Sequence, residues 1–287
     1  MKALILEGGA MRSVHSAGAL KALSEMGFSD DYFDFVFGAS AGACNGAYFI
    51  AGQTNQFWEM WSESLLSDKF INIKNMFSRT KPVLDIDFIV EEIMIKKHPV
   101  DLQKLINSKT QFYTIVTNCE TGKAEYFLNN KEENFFDIIK ASSSIPMLYN
   151  RTIQINGAEY MDGALADALP INKAIEMGAK EIYVFLTRHD GYRKKRGLAD
   201  AITAKIYKKY PMISDSILNR HVFYNDCLEV IENKKEGIEI NIIRPSYNLG
   251  ISRITSDPKK IKSAFLVGYY DALRVLKNRN KRINQSA

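Results

Sequence analysis

A Gly-x-Ser-x-Gly pentapeptide directly after a short apolar segment is the feature that most constrains this chain. Ser40 lies between Gly38 and Gly42, the apolar segment covers residues 33–37, and small apolar residues follow. A strand, a sharp turn and a helix in this order are typical of a nucleophile elbow, in which the serine has strained backbone geometry. The small neighbours allow the strand and the helix to approach closely. The pattern therefore makes Ser40 a candidate nucleophile at a helix N-terminus, where backbone N–H groups stabilise negative charge.

Composition indicates an ordinary globular protein. Of the 287 residues, 46% are hydrophobic and 25% are charged, as is usual for a soluble globular chain. No segment approaches the ~18 consecutive apolar residues of a membrane span, and the apolar run at 3–6 is too short for a signal peptide. Cys44, Cys119 and Cys227 are widely spaced, so we expect free thiols in a reducing cytoplasm and no disulfide framework or zinc site.

The net charge of +5 is concentrated in the distal third of the chain. Residues 188–220 contain nine Lys and Arg against three Asp, and residues 259–282 contain eight against one Asp. Such a region attracts anionic lipid or nucleic acid, or it is simply a solvated helix face. We expect no nucleic acid partner and a peripheral contact with anionic membrane. The residues expected to make that contact lie in one loop and are Arg193, Lys194, Lys195 and Arg196.

Alternating strands and helices predict an α/β fold, a three-layer α/β/α sandwich with a mainly parallel central sheet. The expected strands cover residues 2–6, 33–37, 111–118, 124–128, 151–155, 181–187 and 238–244. The expected helices cover residues 14–23, 41–52, 55–66, 85–97, 134–142, 170–178, 199–232 and 258–278. Since no convincing linker interrupts the chain, we expect one domain over 1–287. Its motif-bearing core covers 1–187, and a basic, mostly helical part (188–287) packs on that core.

A nucleotide site is not supported by the two glycine-rich turns. Residues 8–13 contain neither Gly-x-Gly-x-x-Gly nor a following Gly-Lys-Ser/Thr. The second strand ends in Gly38-Ala39-Ser40, where a dinucleotide-binding fold has an acidic residue for the ribose. These two observations argue against dinucleotide and P-loop chemistry.

A Ser-His-Asp esterase remains an alternative. In an α/β-hydrolase an acidic residue and then a histidine follow the nucleophile along the chain. His15 and His98 precede the candidate acid Asp162, whereas His189 and His221 follow it in the basic region. The histidines therefore support a triad only weakly.

Asp162 is the carboxylate that remains as a partner for the serine. It lies within residues 157–165 (GAEYMDGAL), at an expected tight turn beyond a strand. An aspartate with its reference pKa of ~3.9 is a weak base, so it can activate a serine only if the site positions and desolvates it. An isolated Asp-Gly is otherwise an ordinary turn.

The motifs together resemble those of the patatin-like phospholipases, in the same order along the chain. Residues 8–12 (GGAMR) are similar to the glycine-rich oxyanion strip, residues 38–42 to the elbow, and Asp162 with Gly163 to the Asp-Gly motif. Residues 141–146 (ASSSIP) resemble the block that precedes the aspartate, and residues 169–171 (LPI) resemble the Pro that follows it. The resemblance spans residues 4 to about 187.

The resemblance implies a patatin-like fold and a Ser-Asp dyad, with Ser40 as nucleophile and Asp162 as general base. It implies no metal and no cofactor. Ala10 and Ser13 depart from the family pattern, which has glycine at both positions. The residues implied to form the oxyanion hole are Gly8, Gly9, Ala10 and Ala41, and the supporting residues are Arg12, Gly38, Gly42 and Gly163.

The implied function is hydrolysis of carboxylic esters of lipids, as by a phospholipase A, a lysophospholipase or a lipid esterase. A catalytically weak lipid-binding or scaffold protein on the same fold is the alternative, because two strip positions are altered. Trp58, Met60 and Trp61 lie on a helix that caps an acyl pocket or packs in the core, and we expect Cys44 to be a small core residue. The head group, the acyl length and the oligomeric state cannot be read from the sequence.

Overall fold

The computed structural model describes residues 1–28, 31–78, 80–130, 133–233 and 236–286. Within them the chain builds an eight-stranded mixed sheet. The strands are β1 (Lys2–Leu6), β2 (Phe35–Ala39), β3 (Gln111–Asn118), β4 (Ala124–Leu128), β5 (Ile153–Ile155), β6 (Ala158–Asp162), β7 (Glu181–Phe185) and β8 (Glu239–Ile243). Their order is β5-β6-β3-β2-β1-β7-β8, with β4 also paired to β3. The neighbouring strands in the series β3-β2-β1-β7-β8 are parallel. Strands β4 and β6 pair antiparallel with β3, and β5 pairs antiparallel with β6.

The central strands are apolar throughout because both faces of the sheet are covered. Successive side chains of a strand point to opposite faces. Accordingly Leu4 and Val36 belong to one buried cluster, while Ile5 and Phe37 belong to another. This division of the core confirms the predicted three-layer sandwich with a mainly parallel sheet.

Nine α-helices occur among the described residues, most of them in the two covering layers. They are α1 (Val14–Glu25), α2 (Ala41–Ile50), α3 (Phe57–Ser62), α4 (Leu102–Asn107), α5 (Phe135–Ser142), α6 (Ile171–Glu176), α7 (Leu198–Ile206), α8 (Pro211–Glu232) and α9 (Pro258–Ser286). A π-helix covers Phe88–Lys97, and short 3₁₀ turns cover Ala10–Ser13, Thr54–Gln56, Ser64–Leu66, Ile73–Phe77 and Gly163–Leu165. None of the helices in the described ranges is long and apolar enough to cross a bilayer.

Helices α1 and α9 cross with their backbones in contact, which joins the two ends of the chain. A Cβ atom at Gly18 would overlap the carbonyl of Phe265, and one at Gly268 would overlap the carbonyl of His15. At the same crossing His15 Nε2 lies 3.1 Å from Asp271 Oδ2, and both side chains are buried. The distal part of the chain therefore packs closely on the proximal part.

Two expected helices were wrong in extent, and two elements were not predicted. The helix expected over 199–232 is two helices, because Pro211 begins α8 and the residue before a proline is biased away from helical geometry. The helix expected over 55–66 is only α3 with 3₁₀ turns on either side. The sequence also did not predict α4 or β6, and Asp162 is the last residue of that strand.

Candidate active site

Ser40 has the strained backbone of an elbow between β2 and α2. Its φ is 54° and its ψ is −129°, a conformation that side chains other than glycine rarely adopt. Glycines on both sides allow close packing: a Cβ at Gly38 would lie 2.6 Å from Ala43 Cα, and one at Gly42 would overlap the carbonyl of Leu6. The serine is only 3% exposed. The local fold therefore holds Ser40 rigidly at the carboxyl end of a central strand.

Strands β2 and β6 lie end to end along the same edge of β3. Strand β2 pairs with residues 111–115 of β3, and β4 pairs with 113–117, so these two partners occupy opposite edges. Strand β6 pairs with residues 116–118, two of which also pair with β4. Strand β6 must therefore be on the edge that β2 occupies.

This register brings Ser40 and Asp162 together. Ala39, the last residue of β2, faces Ile115, and Asp162, the last residue of β6, faces Val116. Because β2 is parallel to β3 and β6 is antiparallel to it, the two strands run toward each other and end at adjacent positions. The two residues singled out from the sequence, 122 positions apart, thus lie at adjacent strand ends.

Asp162 is a buried carboxylate fixed by its own backbone. Its Oδ1 accepts a hydrogen bond of 2.8 Å from the N–H of Ala164, and its carbonyl oxygen accepts one of 2.8 Å from the hydroxyl of Thr117. A Cβ at Gly163 would overlap the carbonyl of Ile115, so the turn lies directly against β3. The side chain is nearly enclosed, with 5% exposure. This burial is the desolvation that a working aspartate base needs.

Burial raises the pKa of Asp162 above its ordinary value of 3.8, because desolvation penalises the carboxylate. The N–H of Ala164 and the positive charges of Arg253, Arg220 and Lys194 oppose this rise in the pKa. No motif in the sequence placed any of these three cations near Asp162. They converge from separate segments, so no local motif could have revealed them.

Ser142 is a second serine of the site, whose role the sequence did not reveal. Its hydroxyl accepts a hydrogen bond of 2.8 Å from the N–H of Ser40 and donates one of 2.6 Å to the carbonyl of Ile115. It is fully buried at the end of α5. The hydroxyl therefore ties the elbow to β3.

The glycine-rich strip lies beside the elbow. A Cβ at Gly8 would lie 2.5 Å from the carbonyl oxygen of Ala39 and 2.9 Å from Ser40 Cβ. Ala10 and Ala41 line the same cavity as Ser40. Among the described residues, no group accepts a hydrogen bond from the backbone N–H of Gly9, Ala10 or Ala41. The strip thus has unpaired donors beside the candidate nucleophile.

Arg12 packs against the strip at Gly9. Its Nε lies 3.5 Å from the hydroxyl of Thr187, and burial, with Arg253 and Arg188 nearby, lowers its pKa to about 10. Glu7 precedes the strip and accepts hydrogen bonds of 2.6 Å from the N–H of Thr187 and 3.1 Å from the hydroxyl of Tyr224. Glu7 was noted in the sequence only as the charge that ends an apolar run, yet it fixes the strip to β7 and α8.

An apolar cavity lies beside Ser40. Its volume is about 40 Å³, room for a few water-sized groups. Met60 and Trp61 line it, as the acyl-pocket interpretation requires, but Trp58 does not and instead packs edge-on against Phe265 at 5.2 Å. The rest of the lining is mostly aliphatic or aromatic and comes from α2, the 64–94 region and the residues after α5.

Cys44 also lines this cavity, and burial raises its pKa to about 12. A thiol with so high a pKa is a poor nucleophile at neutral pH. All three cysteines are free thiols. No group of three His, Cys, Asp or Glu side chains within the described ranges is arranged to hold a metal ion.

Three of the four histidines contact groups outside the candidate dyad. His15 contacts Asp271, His98 Nε2 lies 3.1 Å from the hydroxyl of Ser64, and His189 Nδ1 lies 2.6 Å from the carbonyl of Asp190. The Nδ1 of His221 is buried without a hydrogen-bond partner. In the part of the chain that the structure describes, no hydrogen bond joins a histidine to Ser40 or Asp162, so the contacts give a triad no support.

Comparison with known proteins identifies the family. The family model described as patatin-like phospholipase matches residues 4–175, more than half of the chain. The chain belongs to the patatin-like phospholipase family. It is accordingly an enzyme of the lipid-hydrolase class. A second family model, described as a domain of unknown function, matches residues 210–284.

Patatin-like relatives differ widely in length. An uncharacterized protein of Escherichia coli K12, YjjU, is 31% identical over 283 residues, covering 93% of this chain and 76% of that protein. The human patatin-like phospholipase domain-containing protein 6 is 29% identical over 290 residues, but this chain spans only 20% of its length. The crystal structure of VipD from Legionella pneumophila aligns with a TM-score of 0.53 at 14% identity, over 96% of this chain and 67% of that one. This last likeness shows the fold alone.

The two departures from the patatin-like strip are accommodated in different ways. Ala10 has a φ of 48°, a left-handed conformation that glycine adopts more easily. Ser13 is fully buried, and its hydroxyl donates a hydrogen bond of 3.5 Å to the carbonyl of Glu7. The strip thus keeps a left-handed turn without glycine at position 10.

Proposed function

We propose that this patatin-like protein hydrolyses carboxylic esters of lipids with a Ser40–Asp162 dyad. The observation that carries the proposal is the register of β3, which supports the adjacency of the two residues at the ends of β2 and β6. Asp162 accepts the proton of the Ser40 hydroxyl while the serine oxygen attacks the ester carbonyl carbon. The N–H groups of Gly9, Ala10 and Ala41 stabilise the oxyanion.

The reaction then proceeds in two steps that return the enzyme to its starting state. The tetrahedral intermediate expels the alcohol, which leaves with the proton held by Asp162, and an acyl-serine forms. Asp162 next takes a proton from water, whose oxygen attacks the acyl carbon. Collapse of the second intermediate releases the carboxylic acid and returns the proton to Ser40. No metal or cofactor takes part in any step.

The cavity beside Ser40 supports a lipid acyl chain as the acyl part of the substrate. It is lined by apolar side chains and enclosed by α3 and the π-helix. Burying apolar area there contributes about 25 cal/mol per Å². An acyl chain therefore gains binding free energy with each methylene that the cavity accommodates.

The dyad is tested by hydrolysis of a soluble ester by wild type, Ser40→Ala, Asp162→Asn and the double variant. We expect each single change to lower kcat by about 10²–10⁴-fold and the double variant to be little worse, because the residues act as a unit. Asp162→Asn should be at least as stable as wild type at pH 8, since the raised pKa of Asp162 means that its ionised form destabilises the fold. An inactive wild type would favour the lipid-binding scaffold, and activity lost only with His189→Ala or His221→Ala would favour a triad.

We also propose a peripheral contact with anionic membrane, made by fewer residues of the basic loop than the sequence indicated. Arg193 pairs with Glu232 at 2.5 Å, and Lys194 turns inward over the ring of Tyr224. Of the four loop cations, only Lys195 and Arg196 are exposed and have no hydrogen-bond or ion-pair partner among the described residues. Two of the four loop residues, rather than all four, are therefore available for the membrane contact.

Helix α7, which follows this loop, adds an apolar stripe to the contact. Leu198, Ile202 and Ile206 recur every four residues and are 87%, 57% and 56% exposed. Exposed lysines lie at 205, 208 and 209. An apolar stripe flanked by cations is typical of helices that lie in the interface of an anionic bilayer, where each cation contributes about 1 kcal/mol.

Vesicle flotation tests this contact. We expect binding to phosphatidylglycerol vesicles to be salt-sensitive, stronger than to phosphatidylcholine vesicles, and weakened in Ile202→Glu. Leu266→Glu is the matched control, because Leu266 is a similarly exposed leucine on α9. Equal binding to both vesicle types, or equal loss in both variants, would contradict the assignment to α7.

We further infer that 1–287 works as one domain in a reducing, cytoplasmic setting. Strand β8 extends the sheet of the motif-bearing part, and α9 packs on α1. The three free cysteines are compatible with a reducing compartment.

A further inference from the structure

Three cations from the distal part of the chain converge on the dyad. Lys194, Arg220 and Arg253 lie close enough for their charges to act on the carboxylate of Asp162. They come from the loop before α7, from α8 and from the segment before α9. All three are half-buried, so each is held by the fold and still reached by solvent. We call them the distal cation cluster.

Lys194 is fixed without an anionic partner. Its backbone N–H donates to the side chain of Asn225, and its carbonyl accepts from the same side chain, each at 2.9 Å. Its Nζ lies 4.2 Å from the ring centroid of Tyr224. Within the described ranges, no carboxylate forms an ion pair with this ammonium group.

The two arginines of the cluster also have unused donors. Arg220 pairs with Asp200 through Nη2, but its Nε is buried and has no hydrogen-bond partner. The backbone carbonyl of Arg253 accepts a hydrogen bond of 3.4 Å from Met11 N–H, which ties this residue to the oxyanion strip. Its guanidinium makes no hydrogen bond or ion pair with any described residue.

Mutual repulsion makes this arrangement of three cations energetically unfavourable unless an anion lies among them. Burial, together with Arg220 and Arg253, lowers the pKa of Lys194 to about 7. Burial and the charge of Arg220 also lower the pKa of Arg253. An anion placed among the three would relieve this repulsion and use the free N–H groups.

The distal cation cluster is not part of the apolar cavity beside Ser40. The cavity lining contains none of the three cations and no other charged side chain. An ester bound with its acyl chain in the cavity has its carbonyl at Ser40, and its alcohol part extends out of the cavity. The cations beside Asp162 are then the protein groups available to that alcohol part.

We propose that Lys194, Arg220 and Arg253 form a subsite for an anionic phosphodiester in the alcohol part of the substrate. The inference rests on the proposed function. It adds that the enzyme selects acyl esters with a net negative head group over zwitterionic and neutral esters of the same acyl chain. The other role open to the cluster is to keep Asp162 ionised, which would aid all esters equally.

The test compares three monomeric substrates with one acyl chain: lysophosphatidylglycerol, lysophosphatidylcholine and monoacylglycerol. Each is used below its critical micelle concentration, so that no charged surface contributes. We expect wild type to prefer the anionic ester in kcat/KM, and Arg253→Gln or Lys194→Gln to lower the anionic-to-neutral ratio about tenfold or more. Lys262→Gln removes an exposed cation on α9 and should leave the ratio unchanged.

The pH dependence separates the two roles of the cluster. Arg220, Arg253, Arg12 and Glu7 surround Lys194. Because Lys194 loses its proton near pH 7 while a phosphodiester does not titrate, KM for lysophosphatidylglycerol should rise between pH 6 and 8.5. Lys194→Arg, which stays charged, should abolish this rise.

One combined result would overturn the proposal. In it, Arg253→Gln and Lys194→Gln leave the anionic-to-neutral ratio of kcat/KM unchanged, and they move the acidic limb of the kcat/KM profile to higher pH for all three esters. That outcome would assign the cluster to Asp162 alone. Failure of the proposed function is a separate result, because Ser40→Ala would then still hydrolyse the neutral ester.

Discussion

The hydroxyl of Ser142 is expected to be a main support of the strained elbow, and Ser142→Ala tests this directly. The change removes one oxygen that bridges the N–H of Ser40 and the carbonyl of Ile115. Both groups are buried, so water cannot replace the bond without a rearrangement. A buried donor or acceptor left unpaired costs about 1–3 kcal/mol. Two such groups give an expected loss of about 2–6 kcal/mol in the free energy of unfolding.

Ser144→Ala is a matched control two residues away. The Ser144 hydroxyl is also buried and donates 2.8 Å to the carbonyl of Lys140. That carbonyl also accepts a hydrogen bond of 3.1 Å from the N–H of Ser143, so it stays paired after the change. We therefore expect Ser144→Ala to cost less than about 1 kcal/mol.

Urea unfolding of the two variants gives the free energies, and turnover of a soluble ester gives the effect on the elbow. We expect Ser142→Ala to be less stable by the stated amount and to lose activity, because the φ of Ser40 costs about 1–3 kcal/mol and persists only when its surroundings enforce it. Equal losses in the two variants, or full activity of Ser142→Ala, would refute this reasoning.

Three further changes test other parts of the account. Gly163→Ala should destabilise the protein by about 1–3 kcal/mol and lower kcat, since its Cβ overlaps the carbonyl of Ile115; Gly197→Ala, with no atom nearer than 3.9 Å to the new Cβ, is the control in urea unfolding. The acidic limb of kcat/KM for a neutral ester should lie above pH 3.8, because activity falls as pH drops through the raised pKa of Asp162; a limb at or below 3.8 would count against a buried base. Dialysis against EDTA should leave hydrolysis of a soluble ester unchanged, and a loss restored by calcium would contradict a metal-free mechanism.

The alternation of strands and helices predicted the sheet, and two local motifs singled out Ser40 and Asp162 as the candidate dyad. Ser40 could be recognised from five residues, and Asp162 from its small neighbours and the family pattern. Strand β6 was missed although Asn156-Gly157, with φ values of 51° and 84°, is a typical two-residue hairpin turn between β5 and β6. That turn would have given the bounds of the strand beyond which Asp162 was expected.

Other parts of the site depend on tertiary packing, which one sequence does not reveal. The bridge made by Ser142 requires α5 to end against β3, and the distal cation cluster needs three segments far apart in sequence to converge. The loop cations illustrate the same limit. Four adjacent residues look alike in the sequence, yet Lys194 turns inward over the ring of Tyr224 while Lys195 stays exposed.

The most direct test of the dyad is covalent labelling with a fluorophosphonate, followed by mass spectrometry of the digested protein. We expect a single adduct on the peptide that contains Ser40, no adduct in Ser40→Ala, and labelling slowed by about 10²–10⁴-fold in Asp162→Asn, because the serine then lacks its base. An adduct on another serine, or labelling of Asp162→Asn at the wild-type rate, would contradict a Ser40–Asp162 dyad.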